Sequence, residues 1–358
     1  MGNQCCSDRL TNNPNSEKYK KNMGEFNDDE EQEEAAKVIQ NRWRKKKQAR
    51  LHNGDDSNNN IFQTGRLNSE NSEDEIDYSK VQSFPELSTE LKTIIKKNKD
   101  FLEIDWKEKG ITKPPVSKME IIKYSDGEIY RGEFKDGKRI GFGENLWPDM
   151  KIYYMGEWSD DRSNGFGFSI NAETGEIYKG EWVNGTVQGH GIHRSKDGFQ
   201  YEGSWVNDHK EGKGIEKGKD YTYEGDFIND QIEGRGKLEI KGKLTYEGEF
   251  SNGKFNGKGK CHWNRGGYYN GDWVDGEMHG NGEFVWEDGS KYIGEYKNNK
   301  KHGKGEFIWK DKKRLVGTWY EGVKHGEFDF FKENGEKTTV QYVNGKRKKN
   351  PNPIKGES

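Results

Sequence analysis

Cysteine is scarce. Three residues in a chain of 358, Cys5, Cys6 and Cys261, make no disulfide framework and fit a reducing compartment. Apolar bulk is scarce too: 28% of residues are apolar against 34% charged, which excludes one large aliphatic core. No stretch approaches the roughly 20 apolar residues that span a bilayer. Asn3, Gln4, Ser7 and Asp8 stand where a signal peptide would be apolar. Net charge is only -3, divided as -2 over residues 1–116, -5 over 117–345 and +4 over 346–358. Nothing there has the basic footprint of a nucleic-acid binder, so no nucleic-acid partner is expected.

What the chain has instead is glycine, 47 residues of it, and aromatics at 13%. The two combine in one phrase: aromatic, any residue, Gly, any residue, aromatic. It begins at Tyr130, Tyr154, Tyr178, Tyr201, Tyr223, Tyr246, Tyr269, Tyr292 and, with Leu substituted, Leu315, at intervals of 22 to 24 residues. A fixed period of that size means an array in which each unit packs on its neighbours. Tyr130, Gly132 and Phe134 fall on one face of a strand while Arg131 and Glu133 fall on the other. The same alternation places Tyr178, Gly180 and Trp182 together, then Tyr246, Gly248 and Phe250, then Tyr269, Gly271 and Trp273. Glycine on the aromatic face leaves room for rings to lie close over the backbone.

Shortly after the second aromatic comes a turn pair, such as Asp136-Gly137, Asn184-Gly185, Asn252-Gly253 and Asp275-Gly276, or Asn207-Asp208, Asn229-Asp230 and Asn298-Asn299. These residues tolerate the positive φ of tight hairpin turns. A Gly-x-Gly pair, as in Gly141/Gly143, is expected to open the return strand. Each unit is then a β-hairpin, and the expected fold is all-β: nine consecutive hairpins joined edge to edge in one elongated, twisted sheet. Two strands per unit advance the array about 10 Å. The segment before Tyr130 and a half-repeat at Tyr342–Gly345 are candidate caps.

The pattern resembles the MORN repeat (membrane occupation and recognition nexus) from residue 130 to about 330. Departures are Leu315 for Tyr, Asp161 at the Gly137 position, and Gly326-Glu327-Phe328 without its second glycine. The resemblance implies a scaffold, near membranes or in the cytoskeleton and cilia, with protein partners along the array.

The first residues, Met1-Gly2-Asn3-Gln4-Cys5-Cys6-Ser7, resemble an N-myristoylation signal at Gly2 followed by palmitoylation at Cys5 or Cys6. Two acyl chains hold a membrane stably where one does so only marginally. Further on, Val38, Ile39 and Trp43 recur at helical spacing, with Arg42, Arg44, Lys45, Lys46, Lys47 and Arg50 around them. This reads as a basic amphipathic helix. Ile39, Gln40 and Arg44 resemble part of an IQ motif, with Lys45 where Gly is usual. Three readings stand: calmodulin or a related EF-hand protein, anionic lipid, or a solvated charged helix.

The expected organisation is an acylation signal and acidic segment at 1–30, the basic helix at 31–52, and a disordered linker at 53–84. A helical cap or linker follows at 85–116, then the array at 117–346 and a basic tail at 347–358. In the cap, Leu91, Ile94, Ile95 and Leu102 fit a helical face, with Ser88 or Thr89 as N-cap.

No catalytic constellation emerges, and no cofactor or metal is expected. The Gly-x-Gly pairs do not continue to Gly-Lys-Ser/Thr, so hairpin glycines explain them. His279, His302 and His325 recur 23 residues apart, about 10 Å along the array, too far for one metal ion; they read as exposed turn residues. Glu133, Glu157, Glu181, Asp226, Glu249, Asp272 and Glu295 form a stripe of acids. It reads as a solvated face, and secondarily as a docking surface for a basic partner. Lys213, Arg235, Lys258 and Lys304 compensate it. The expected function is a non-enzymatic scaffold, acyl-anchored at the cytoplasmic face of a membrane or the cell cortex. The alternatives are a ciliary or cytoskeletal component, and a regulatory module for a separate lipid kinase or methyltransferase.

Overall fold

The structure, a computed structural model, describes residues 78–149 and 151–348. Among these residues 22 strands form one sheet. Each strand is antiparallel to its sequence neighbour: β1 (Tyr78–Lys80) pairs with β2 (Glu120–Tyr124), β2 with β3 (Ile129–Lys135), β3 with β4 (Lys138–Trp147), and so on to Lys337–Val343 and Lys346–Arg347. The expected array of hairpins is what forms. Its turn pairs sit at positive φ, as at Asp136 (50°) and Gly137 (77°) or Asn184 (52°) and Gly185 (87°), the twist that closes a two-residue hairpin.

Inside each unit the phrase has a specific geometry. The phrase tyrosines are buried, and each hydroxyl donates to the carbonyl three residues on: Tyr154 to Glu157 at 3.0 Å, Tyr201 to Ser204 at 2.9 Å, Tyr246 to Glu249 at 2.9 Å. The ring therefore lies flat over two glycines, its own Gly and the second Gly of the return strand, which pair across the hairpin. Gly248 opposes Gly259, and Gly259 in turn opposes Gly271 of the next unit. The result is a row of glycine that crosses the sheet from Gly132 to Gly317. A Cβ on Gly248 would lie 2.5 Å from the Gly259 Cα. Above the row, tyrosines alternate edge-on with the second aromatics; Tyr154 meets Trp158 at 5.2 Å and Trp182 at 5.4 Å. Burying one such ring, about 200 Å², is worth about 5 kcal/mol before entropy is counted.

Two departures from the pattern prove to be one. Leu315 removes the ring that would cover Gly317, and Phe328, standing where the second glycine belongs, fills that space; a Cβ on Gly317 would meet its ring. Asp161 is likewise no defect. At the second turn position Asp161, Asp208, Asp230 and Asn299 each accept the backbone N–H of the preceding return strand, at 2.7–3.0 Å. These side chains tie one hairpin to the next.

The Gly-x-Gly pair does not open the return strand. In β4 it lies mid-strand, where the register with β3 shifts between Gly132 and Glu133. Gly141 takes φ 57° to make this bulge, and Gly189, Gly234, Gly257, Gly280 and Gly303 do the same. The bulge recurs in every full unit and adds to the twist.

The segment before the array folds onto a face of the sheet. Helix α1 (Thr89–Lys97) starts at Ser88, whose Oγ accepts the Leu91 N–H at 3.2 Å, and α2 (Lys99–Leu102) follows directly. Leu91, Leu102, Trp106 and Ile111 bury Phe142, Leu146, Tyr153, Phe168, Ile170 and Ile177, a second core on the side opposite the tyrosines. The end itself is extended by β2 and by the short β1, which lies in the stretch read as linker. At the far end Tyr342 packs on Phe328 at 5.2 Å, and the two-residue strand Lys346–Arg347 pairs with Tyr342 and Val343 only, so the outermost strand is very short.

Candidate functional site

The side of the sheet away from the tyrosines carries the residue between the two glycines of each pair. Down the array this position reads Phe142, Phe166, His190, Lys213, Arg235, Lys258, Asn281 and Lys304. The change from aromatic to charged falls where the helical strap ends. Trp106 meets Phe142 edge-on at 4.9 Å, and Lys109 lies 4.5 Å from the Phe166 ring centre. The far tip of the strap is Phe101. Arg194 stacks on its ring at 3.8 Å, and the Lys179 Nζ donates to the Phe101 and Glu103 carbonyls at 2.8 Å.

Beyond that tip the face is open. A groove of about 1280 Å³ runs from His190 to Asn270, floored by Gly203, Gly214, Gly225, Gly236, Gly248 and Gly259. One lip carries Lys213, Arg235 and Lys258; the other carries Glu202, Glu224 and Glu247 with Lys237 and Lys260. The two lips follow from period-two alternation on either side of the glycine row. Polar groups of both signs over a backbone floor suit a polypeptide better than an apolar small molecule.

The stripe of acids is not the solvated face expected from the sequence. Its carboxylates turn back and accept the backbone N–H inside the bulge: Glu133 from Phe142 at 2.8 Å, Glu157 from Phe166 at 2.7 Å, Asp226 from Arg235 at 2.9 Å, Asp272 from Asn281 at 2.8 Å and Glu295 from Lys304 at 2.8 Å. The bulge leaves that N–H without a strand partner, and the acid supplies one. Lys213 pairs with Asp226 at 2.6 Å, and Lys258 pairs with Asp272. Burial pulls Asp226 and Asp272 upward, yet the lysine and the backbone N–H outweigh it and hold both carboxyls below the usual range. The cations project instead: side chains of Lys213, Arg235 and Lys258 are 74%, 83% and 72% exposed, against 30%, 41% and 28% for Asp226, Glu249 and Asp272. A basic partner would meet lysine tips first.

His279, His302 and His325 lie within return strands, opposite Asp272, Glu295 and Thr318, rather than in turns. Among the described residues no group of side chains is placed to hold a metal ion, and no helix is long and apolar enough to cross a membrane. The phrase residues Tyr130, Gly132, Tyr178, Gly180, Trp182, Tyr246, Phe250, Tyr269 and Trp273 are buried, and Gly248, Gly271 and Phe134 are partly so. They build the sheet, and Gly248 also forms part of the groove floor. Gly2, Cys5, Cys6 and the basic stretch Val38, Ile39, Gln40, Trp43, Arg44, Lys45, Lys46, Lys47 and Arg50 lie outside the described residues. Sequence reasoning missed the groove and the face that the strap occupies. A signal for both was present in the column that turns from Phe142 and Phe166 to Lys213 and Arg235.

Comparison with known proteins bears on the array. The family model described as MORN repeat matches residues 130–149, 154–170, 178–199, 201–222, 223–240, 246–268, 269–291, 292–314 and 316–327. A search of curated protein sequences finds no match. Among solved structures the chain is similar to the TCP domain of SAS-4 (dCPAP) from Drosophila melanogaster in complex with a proline-rich motif of Ana2, at 14% identity over 42% of this chain and 83% of that one, with a TM-score of 0.28. Virginiamycin B lyase from Staphylococcus aureus is 13% identical over 62% of this chain and 68% of that one, with a TM-score of 0.12. Scores that low carry no argument about fold or function.

Proposed function

The chain belongs to the MORN-repeat family, and on that premise we propose that it is a non-enzymatic, membrane-associated scaffold. Acyl chains at Gly2 and at Cys5 or Cys6 hold it at the cytoplasmic face of a membrane or the cell cortex. The array presents its open groove to a segment of a partner protein. The observation that carries the docking part is the strap: a polypeptide of this chain already sits on that face over the first three units, and the same face continues uncovered from His190 to Asn270. What supports the anchor is the N-terminal sequence alone, in which two lipid attachments supply the affinity that one lacks. The basic helix around Trp43 then serves calmodulin or a related EF-hand protein, or adds attraction to anionic lipid.

Metabolic acyl labelling with fractionation separates the parts. The parent protein should carry acyl chains and sediment with membranes, and Gly2→Ala should move it to the soluble pool. A parent that carries no acyl chain and fractionates with axonemes replaces the anchored scaffold with the ciliary reading. Lys213→Glu combined with Lys258→Glu should stay on membranes but lose the protein that co-purifies with the parent; unchanged co-purification removes the groove from the proposal. Pull-down of a peptide spanning residues 33–52 by calmodulin, with and without Ca²⁺, tests the helix, and no binding in either condition removes that partner.

A further inference from the structure

The tyrosine side of the sheet carries a second feature that the fold does not require. Two and four residues after the second glycine, the second, third and fourth units have Ser169 and Asn171, His193 and Ser195, and Glu216 and Gly218. The last full units have aromatics there: Trp263, then Phe284 and Trp286, then Phe307 and Trp309, then Phe330. These rings form one continuous ladder. Trp263 meets Phe284 at 5.3 Å, Phe284 meets Trp286 at 4.7 Å, Trp286 meets Phe307 at 5.3 Å, Phe307 meets Trp309 at 4.9 Å, and Trp309 meets Phe330 at 6.0 Å. The three tryptophans are half-buried, with one side of each ring against the core. Units that carry polar groups at these positions still form the sheet, so the ladder is not a folding requirement.

Charge is concentrated at the same end. Residues 117–299 sum to -8, whereas residues 300–348 sum to +6. Most acids there are already paired: Glu306 with Arg314 at 2.7 Å, Asp311 with Lys313 at 2.6 Å, Asp329 with Lys337 at 2.9 Å and Glu336 with Lys332 at 2.9 Å. The exposed Lys310 and Lys312 have no ion pair among the described residues, and Lys301 lies 4.6 Å from the Trp286 ring centre. Glu287 and Asp288, after Trp286, mark where the basic zone begins.

We propose that this aromatic ladder with its basic end is a docking surface for an acidic segment of a partner protein bound in the polyproline II conformation. The tryptophans recur every two strands, about 9.6 Å. A polyproline II helix repeats every three residues, about 9.3 Å, so it sets an equivalent side chain over each tryptophan in turn. A β-strand presents like-facing residues every 6.6–6.8 Å or so, and two helical turns take about 10.8 Å; both drift out of step. Aromatic-lined surfaces recognise this conformation because little entropy remains to be lost on binding. The positive end selects an acidic segment over a basic one. This surface lies opposite the groove and is independent of it.

The test is fluorescence anisotropy with the full-length protein and a labelled peptide of five Pro-Pro-Glu triplets, which proline holds in the required conformation. The expected result is saturable binding that weakens about tenfold in Lys310→Glu with Lys312→Glu, and about tenfold in Trp309→Ala. A Pro-Pro-Lys peptide of equal length should not bind. The charge variant changes only exposed side chains, so its loss of binding cannot be blamed on misfolding; far-ultraviolet circular dichroism checks Trp309→Ala. Failure of the Pro-Pro-Glu peptide to bind, equal binding of both peptides, or binding unchanged by the lysine variant overturns the proposal. So does loss of binding in the groove variant Lys213→Glu with Lys258→Glu, which would place the peptide on the other face. Sedimentation with phosphatidylserine vesicles that depends on Lys310 and Lys312, without peptide binding, would assign the surface to lipid and also overturn it.

Discussion

Replacing Gly248 by alanine tests the packing that defines the array. The new Cβ would lie 2.5 Å from the Gly259 Cα, 2.6 Å from the Tyr246 Oη and 2.7 Å from the Lys258 carbonyl oxygen. None of the three can move cheaply: two belong to backbone, and the hydroxyl is held by the Glu249 carbonyl at 2.9 Å. Gly248 is not at positive φ, so alanine meets no backbone penalty and the whole cost is steric. Over-packing of this kind costs about 1–3 kcal/mol. Displacing the tyrosine hydroxyl adds about 1 kcal/mol. The expected loss is therefore about 2–4 kcal/mol, with the midpoint shifted and the slope of the unfolding curve retained. Gly248 pairs with Gly236 on one side and Gly259 on the other, so fraying of one unit cannot shed the strain. The control is Gly289→Ala, a turn glycine at φ 83° with no atom within 4 Å of the new methyl; it should cost about 1–2 kcal/mol from backbone alone. Urea unfolding followed by tryptophan fluorescence and circular dichroism reads both. If Gly248→Ala is within about 0.5 kcal/mol of the parent, or milder than Gly289→Ala, the glycine row is not the close-packed seam described.

The coupled departure in the last unit predicts non-additivity. Leu315→Tyr and Phe328→Gly should each destabilise alone, the second by about 3–5 kcal/mol, while the double replacement restores the repeat pattern and recovers about 1–3 kcal/mol of the summed loss; additive effects would refute the coupling. Asp272→Ala orphans the Asn281 N–H, so urea unfolding should show a loss of about 1–3 kcal/mol, and a change below about 0.5 kcal/mol would return the acids to a solvated face. Burial raises the ionisation of Tyr154, Tyr178, Tyr201, Tyr223, Tyr246, Tyr269 and Tyr292 well above the ordinary value near 10. A value raised by folding stabilises below the unfolded value and loses that stabilisation as pH climbs past it. Ultraviolet titration should therefore show these phenols ionising together with unfolding above about pH 10, not before it; a gradual titration with intact circular dichroism would contradict their burial.

Much of the molecule was legible in the residues themselves. Strand alternation, hairpin turns and period are local properties, dictated by φ preferences at Asp136-Gly137 or Asn184-Gly185 and by side chains that switch faces at every residue. An N-cap at Ser88 or Thr89 was legible for the same reason, and the structure selects Ser88. The functional surfaces were not. Whether Asp226 and Asp272 face water or close a bulge depends on a register shift that only strand pairing produces. Whether Phe142 is core or surface depends on Trp106, which is 36 residues earlier in sequence and packed against its ring. The chain's own sequence determined a glycine-rich array of hairpins, because backbone conformation is chosen residue by residue. Tertiary structure decided which face the strap covers, where the groove begins and which charges project from it, because those follow from contacts between segments far apart in the chain.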